Sequence, residues 1–233
     1  MSLLLAVVAF APSAHAMKIK GRIKGYMHLL NPVWTEAKDP GKHGYSFREP
    51  VTTVPARFRK LYPDISKEIC IIATGVEAAK KDKILIRVGG GRTTPVSIVV
   101  APGTELQFKN TDAFTHRLFG VDVNTFSESE TVKGGLRTWA VPAGVGSYEI
   151  RDGAAPSLRM WVVSEPNVAA ISYPSKKGLF VLSVAQPGDY NVQAYFAGKK
   201  VGESMDVTVR RRDIDISRKP FIVATKAKKK AKK

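Results

Sequence analysis

The 233-residue chain contains one cysteine, Cys70, and four histidines. A single thiol excludes a disulfide framework, a cysteine-based zinc site and an iron–sulfur cluster. No His-x-His or His-x-x-x-His pair occurs, so the common zinc spacings are missing as well. There is no Gly-x-Ser-x-Gly elbow to hold a serine nucleophile, and Cys70 sits between Ile69 and Ile71 with no charge beside it to lower its pKa. The paired acids Glu128 and Glu130 alternate with Ser127 and Ser129 in a polar loop. Nothing sets a second carboxylate across a cleft from them, as glycoside chemistry requires. The expectation is a non-enzymatic chain without a cofactor. Long apolar runs are missing too. The run Leu3 to Ala11 has nine residues, where a spanning helix needs about 20. Followed by Pro12-Ser13 and Ala14-His15-Ala16, it reads as a secretory signal peptide cut after Ala16. The expected location is periplasmic, secreted or on the cell surface.

What the chain has in excess is positive charge, 37 Lys+Arg against 20 Asp+Glu for a formal net charge of +17. Much of it is terminal. From Arg210 to Lys233 there are 11 Lys+Arg and only Asp213 and Asp215 to oppose them. The last residues, with Lys226, Lys228, Lys229, Lys230, Lys232 and Lys233, form a block of like charge that repels itself in water. Three readings stand open: a solubilising tail, electrostatic docking on an anionic envelope surface or an acidic envelope protein, or nucleic-acid binding. The leader and the lack of an interleaved basic and aromatic face argue against nucleic acid. The basic tail is expected to span residues 213–233.

The rest of the chain, 44% apolar overall, reads as strand after strand. Met17–Gly25 alternates isoleucines with lysines and an arginine, the pattern of a half-buried strand. Glu68–Gly75 is apolar on both faces and should be central, with Cys70 as a buried, inert thiol. Further strands are expected at Lys83–Val88, Val96–Val100, Glu105–Asn110, Leu136–Pro142, Ser147–Arg151, Met160–Val163, Leu179–Val184, Tyr190–Phe196 and Met205–Arg211. Gly89-Gly90-Gly91 leads into a strand, not a helix, so it is a turn and not a phosphate cradle. Short strands with frequent turn signals indicate all-β sandwiches. Residues 31–66 break the rhythm with five prolines and no period, an irregular arm. Its Trp34, Tyr45, Phe58, Arg57 and Arg59 are candidate partner contacts. The alternative is that the aromatics staple the arm to its own domain.

Two stretches resemble a known family. Pro102-Gly103-Thr104-Glu105-Leu106-Gln107-Phe108-Lys109-Asn110, followed by Asp112 and His116, is similar to the first-ligand motif of blue-copper proteins, the cupredoxins of the plastocyanin and azurin kind. The run from Tyr148 to Val163, through Asp152, Ala155-Pro156, Leu158 and Trp161, is similar to their ligand loop. The resemblance covers about residues 94–163 and implies a Greek-key β-sandwich. In that frame Asp152 stands at the cysteine position, Ala155 at the histidine and Leu158 at the methionine, so only His116 remains of the ligand set. A blue-copper centre needs a thiolate and two imidazoles, and the resemblance therefore implies a scaffold that has lost its metal. His116 is expected to be a loop-end histidine bonded to backbone; a weak divalent-metal site at His116 and Asp152 is the alternative. The stretch Gly178-Leu179-Phe180-Val181-Leu182 to Pro187-Gly188-Asp189-Tyr190 resembles carboxypeptidase-regulatory-like domains, which are transthyretin-like sandwiches. That implies a discontinuous domain at 17–83 and 166–212, with a cupredoxin-like unit at 84–165 inserted or adjacent. The functional expectation is an exported binding or structural protein, a subunit or accessory of an envelope assembly. A metal-handling protein and a carbohydrate-binding module are the alternatives.

Overall fold

Residues 16–37, 63–75 and 82–225 are described by the structure, a computed structural model. Their strands are β1 (Met17–Lys24), β2 (Ile69–Gly75), β3 (Ile84–Gly89), β4 (Arg92–Thr94), β5 (Ser97–Val100), β6 (Glu105–Asn110), β7 (His116–Gly120), β8 (Ser129–Thr131) and β9 (Leu136–Ala140). They continue as β10 (Gly146–Asp152), β11 (Arg159–Ser164), β12 (Val168–Ser172), β13 (Leu179–Val184), β14 (Gly188–Phe196), β15 (Lys199–Val209), β16 (Ile214–Asp215) and β17 (Phe221–Ile222). Two short helices, α1 (Pro32–Ala37) and α2 (Ile65–Glu68), flank the arm. The chain is an all-β protein of packed sheets, not a barrel.

Periodicity explains the layers. β1 alternates strictly, with Ile19 and Ile23 buried and Lys18, Lys20, Arg22 and Lys24 outward. β13 answers it in antiparallel register, Ile19 opposite Leu182 and Gly21 opposite Phe180. Gly21 is required there, because a Cβ would lie 2.3 Å from the Phe180 ring. The other edge of β1 takes β16 and β17 in parallel, Ile19 beside Ile214 and Ile23 beside Phe221. The facing sheet has the order β12-β2-β14-β15. Between these two sheets lies one core, built on Ile19, Ile69, Ile71, Phe180, Leu182 and Val192.

Residues 84–164 pair among themselves. One sheet has the order β4-β3-β6-β9 and the other β5-β11-β10-β7-β8. Their core runs through Ile86, Leu106, Phe108, Leu118, Met160 and Val162. Its aromatics form a chain: Phe126 packs 5.3 Å from both Phe108 and Trp139, and Trp139 meets Tyr148 edge-on at 5.6 Å. β11 is buried at every position because one face fills this core. Its other face, at Val163, joins Val99, Cys70, Ile72 and Tyr195 in a third cluster between the two pairs of sheets.

Three expectations are corrected. The folded region does not stop at 212: Ile214 packs against and Phe221 enters the core beneath β1, so the segment to Val223 is part of the sheet. The arm is not irregular throughout, since α1 and α2 stand at its ends. Strands β4, β7, β8 and β12 join those read from the pattern.

Candidate functional site

The residues singled out at positions 116 and 152 meet at one end of the sandwich formed by residues 84–164. Asn110, buried at the end of β6, shapes the approach. Its Nδ2 donates to the carbonyls of Phe114 and Thr131, each at 2.8 Å, and its Oδ1 accepts from the Asp112 N–H at 2.8 Å. These bonds coil residues 110–116 so that His116 enters β7 with its ring wholly buried and the half-exposed Phe114 ring 4.5 Å from it. β10 ends at Asp152 opposite Leu118 on β7, which sets its carboxylate beside the imidazole.

Both ring nitrogens of His116 are taken by carboxylates. Nδ1 contacts Asp152 Oδ2, and Nε2 lies 3.1 Å from Asp112 Oδ2. The acids are themselves held. Asp152 Oδ1 accepts from the Arg117 and Ala154 N–H groups, both at 2.8 Å. Asp112 accepts from the N–H groups of Gly90 at 2.7 Å and Gly91 at 3.2 Å. Those glycines have φ of 64° and 66°, a left-handed turn that aims successive N–H groups at one anion. The Gly90 N–H above all, with Gly91 and the imidazole adding to it, holds the Asp112 carboxyl below the ordinary range against some desolvation. A carboxylate only accepts hydrogen bonds, so with both acids ionised the two contacts are satisfied by a ring carrying N–H on each side. In that state the ring offers no lone pair. His116 is thus bonded to side chains, which corrects the expected backbone contact.

Copper, which the resemblance implies, does not fit these residues. Asp152 offers a carboxylate that is already bonded to His116, Ala155 carries no donor, and Leu158 is buried in the core. Cys70 lies in the cluster between the two pairs of sheets, its thiol pushed up to about 12 by burial. Among the described residues no cluster of three or more His, Cys, Asp or Glu has metal-holding geometry. Met160, on β11, and Leu158, just before it, are buried in the same core.

The remaining candidates divide. Trp34 is half-buried on α1, whose Glu36 reaches Arg159, 3.2 Å away, just past the loop that follows Asp152. Arg159 is buried and also bonds Glu149 at 2.9 Å. At the base of the arm, Asn31 Nδ2 donates to Glu68 Oε2 at 2.8 Å, fastening its two ends together. Burial there raises the Glu68 carboxyl. Tyr45, Arg57, Phe58, Arg59 and Lys226, Lys228, Lys229, Lys230, Lys232 and Lys233 lie outside the described residues. Glu128 is exposed and ion-paired to Arg117 at 3.4 Å. The partners that sequence reasoning missed are Asp112 and Gly90-Gly91. Asp112 was legible only as a position of the first motif, four residues before His116, and no local pattern ties either to the distant glycine turn.

No protein-family model matches the chain, and no curated protein matches it. Solved structures similar to it include a purple cupredoxin from Nitrosopumilus maritimus, 20% identical over 35% of this chain and 99% of that one, TM-score 0.31. Another is amicyanin from Paracoccus versutus, 14% identical over 41% of this chain and 97% of the other, TM-score 0.33. A third is a copper-containing nitrite reductase from Thermus scotoductus, 16% identical, covering 36% of this chain and 22% of that one, TM-score 0.32. Within the described residues no helix is long and apolar enough to cross a membrane.

Proposed function

We propose that this is an exported, non-enzymatic binding or structural protein, a subunit or accessory of a periplasmic or cell-surface assembly. In this reading residues 84–165 are a cupredoxin-like scaffold without copper, and the flanking sheets are a transthyretin-like sandwich of the carboxypeptidase-regulatory kind. The observation that carries it is the closed Asp112–His116–Asp152 arrangement, in which carboxylates occupy both nitrogens of the one remaining ligand. A site kept as chemistry keeps an open coordination position; here the same position is spent on holding loops together. The apolar run at residues 3–11 with Ala14 and Ala16 supports export.

The test is the native size of the protein released gently from its own envelope at low salt and again at high salt. A large complex with identifiable companions supports the subunit reading. A lone species of monomer size, no heavier than the 25.4 kDa of the uncut chain, at both salts overturns it. The second reading, metal handling at His116 and Asp152, rests on their direct contact. It predicts copper or zinc binding tighter than about millimolar, roughly −4 kcal/mol, and a titration without it ends that reading.

A further inference from the structure

The outward face of the sheet built on β1 gathers the cations of distant segments. Lys18, Lys20, Arg22 and Lys24 point the same way, since alternate residues of a strand share a face; they are spaced about 7 Å apart along it. The register sets exposed aliphatic side chains among them. Val181 is opposite Lys20, Leu179 opposite Arg22 and Ile222 beside Lys24, each 40–45% exposed. The turns around this sheet add Lys176–Lys177, Arg210–Arg212 and Arg218–Lys219, all exposed. Against these stand Asp213, which bonds the Lys18 N–H at 3.0 Å and Lys20 Nζ at 2.9 Å, and Asp215, within electrostatic reach of Lys20 and Arg218. Eleven cations on β1 and the turns that flank its sheet thus stand against Asp213 and Asp215, with Glu203 beside Ile222 as a third acid, and the lysines at 226–233 follow directly in the chain after the segment that carries β17.

We propose that this face is a docking surface for a lipid bilayer containing anionic headgroups. The choice rests on the mixture. A flat ladder of cations suits any polyanion, but aliphatic side chains set between them gain only where an acyl boundary can receive them. A sulfated or uronic-acid polysaccharide rewards the charges alone. Single-stranded nucleic acid rewards aromatic platforms, and the outward positions of β1, β13, β16 and β17 carry none. This deepens the reading of the chain as an envelope binding protein by naming one partner, and it fails separately from it: a protein complex that forms without any membrane affinity sinks the bilayer face and leaves the subunit reading standing.

The experiment is vesicle co-sedimentation of the chain beginning at Met17, so that the apolar leader takes no part. It uses vesicles of equal phosphatidylglycerol and phosphatidylcholine, and vesicles of phosphatidylcholine alone. Binding is expected to the first and not the second, falling steeply between 50 and 300 mM salt. R22E/K24E should weaken it at least tenfold, since each cation at such a surface is worth about fivefold. V181T/L179T, which keeps every charge, should weaken it severalfold; near-native circular dichroism of both variants keeps the comparison valid. A chain ending at Thr225 should bind more weakly than the longer one and still lose affinity on R22E/K24E. Full retention of binding by R22E/K24E, loss of all binding with the tail alone, or binding to dextran sulfate but not to the anionic vesicles would each overturn the proposal.

Discussion

Replacing Asp152 by alanine should unfold the network around His116. Three donors would lose their acceptor: the Arg117 N–H, the Ala154 N–H and the fully buried imidazole. A buried group left unsatisfied costs about 1–3 kcal/mol. Ala154 is exposed, so water replaces part of what its N–H loses, and the imidazole bears most of the cost. With the buried imidazole and two backbone N–H groups losing their acceptor together, a loss of about 3–4 kcal/mol is expected here. Urea unfolding followed by tryptophan fluorescence reads it. With a slope of about 2 kcal/mol/M, the midpoint falls by about 1.5–2 M. D152N is the informative control. It retains Oδ1 for the two backbone donors and offers an N–H to Nδ1 of a neutral ring, whose Nε2–H still faces Asp112. Its cost should be about 1 kcal/mol. If D152A lies within 1 kcal/mol of wild type, the imidazole does not depend on this acid. If D152N is as damaging as D152A, charge and not donor–acceptor matching governs the site.

Four further outcomes are expected. Asp112 has its carboxyl lowered in the folded state, so its contribution is complete above the unfolded value, about 3.9, and is lost as pH falls through the lower folded value. The stability difference between wild type and D112N should shrink from pH 6 to pH 2, and a difference independent of pH contradicts this. Cys70, with its pKa pushed up to about 12 and no exposed surface, should resist an aromatic disulfide reagent at pH 8 until denaturant is added; rapid native labelling refutes its burial. G21A should cost about 2 kcal/mol through its clash with Phe180, lowering Tm by about 4–8 °C; an unchanged Tm means that Phe180 moves aside freely. The triple change D152C/A155H/L158M rebuilds the implied copper set around His116 and should develop intense thiolate-to-copper absorption with Cu(II). Colourless protein that remains folded argues that the frame from Tyr148 to Val163 is misplaced.

Strong alternation made β1 and β13 legible, because each buries a complete face, and both-sided burial did the same for β2 and β11. β7 escaped because its five residues begin with a histidine and an arginine and carry one fully buried aliphatic, Leu118. β16 and β17 escaped for another reason. They are two residues each inside a run of charge, and only Ile214 and Phe221 reveal that the run is tethered at two points. At the site, His116 and Asp152 were legible as a pair through their positions in two motifs. The Asp112 contact was not, since it depends on the Asn110 bonds and on a glycine turn that belongs to a different hairpin. Charge was legible as a total and not as a surface: the lysines of β1 become a face only when β16 and β17 arrive beside them.

That late arrival orders the life of the chain. Ile23 pairs with Phe221, almost the whole length of the protein away, whereas residues 84–164 hold all the partners of their own sheets. A chain emerging from synthesis or from a translocation channel can complete the middle unit while its first strand still lacks both edges. The first strand must wait for the last. Any truncation before residue 214 therefore leaves β1 with an open edge, a ready template for pairing with another chain, so premature termination here has aggregation as its physical consequence.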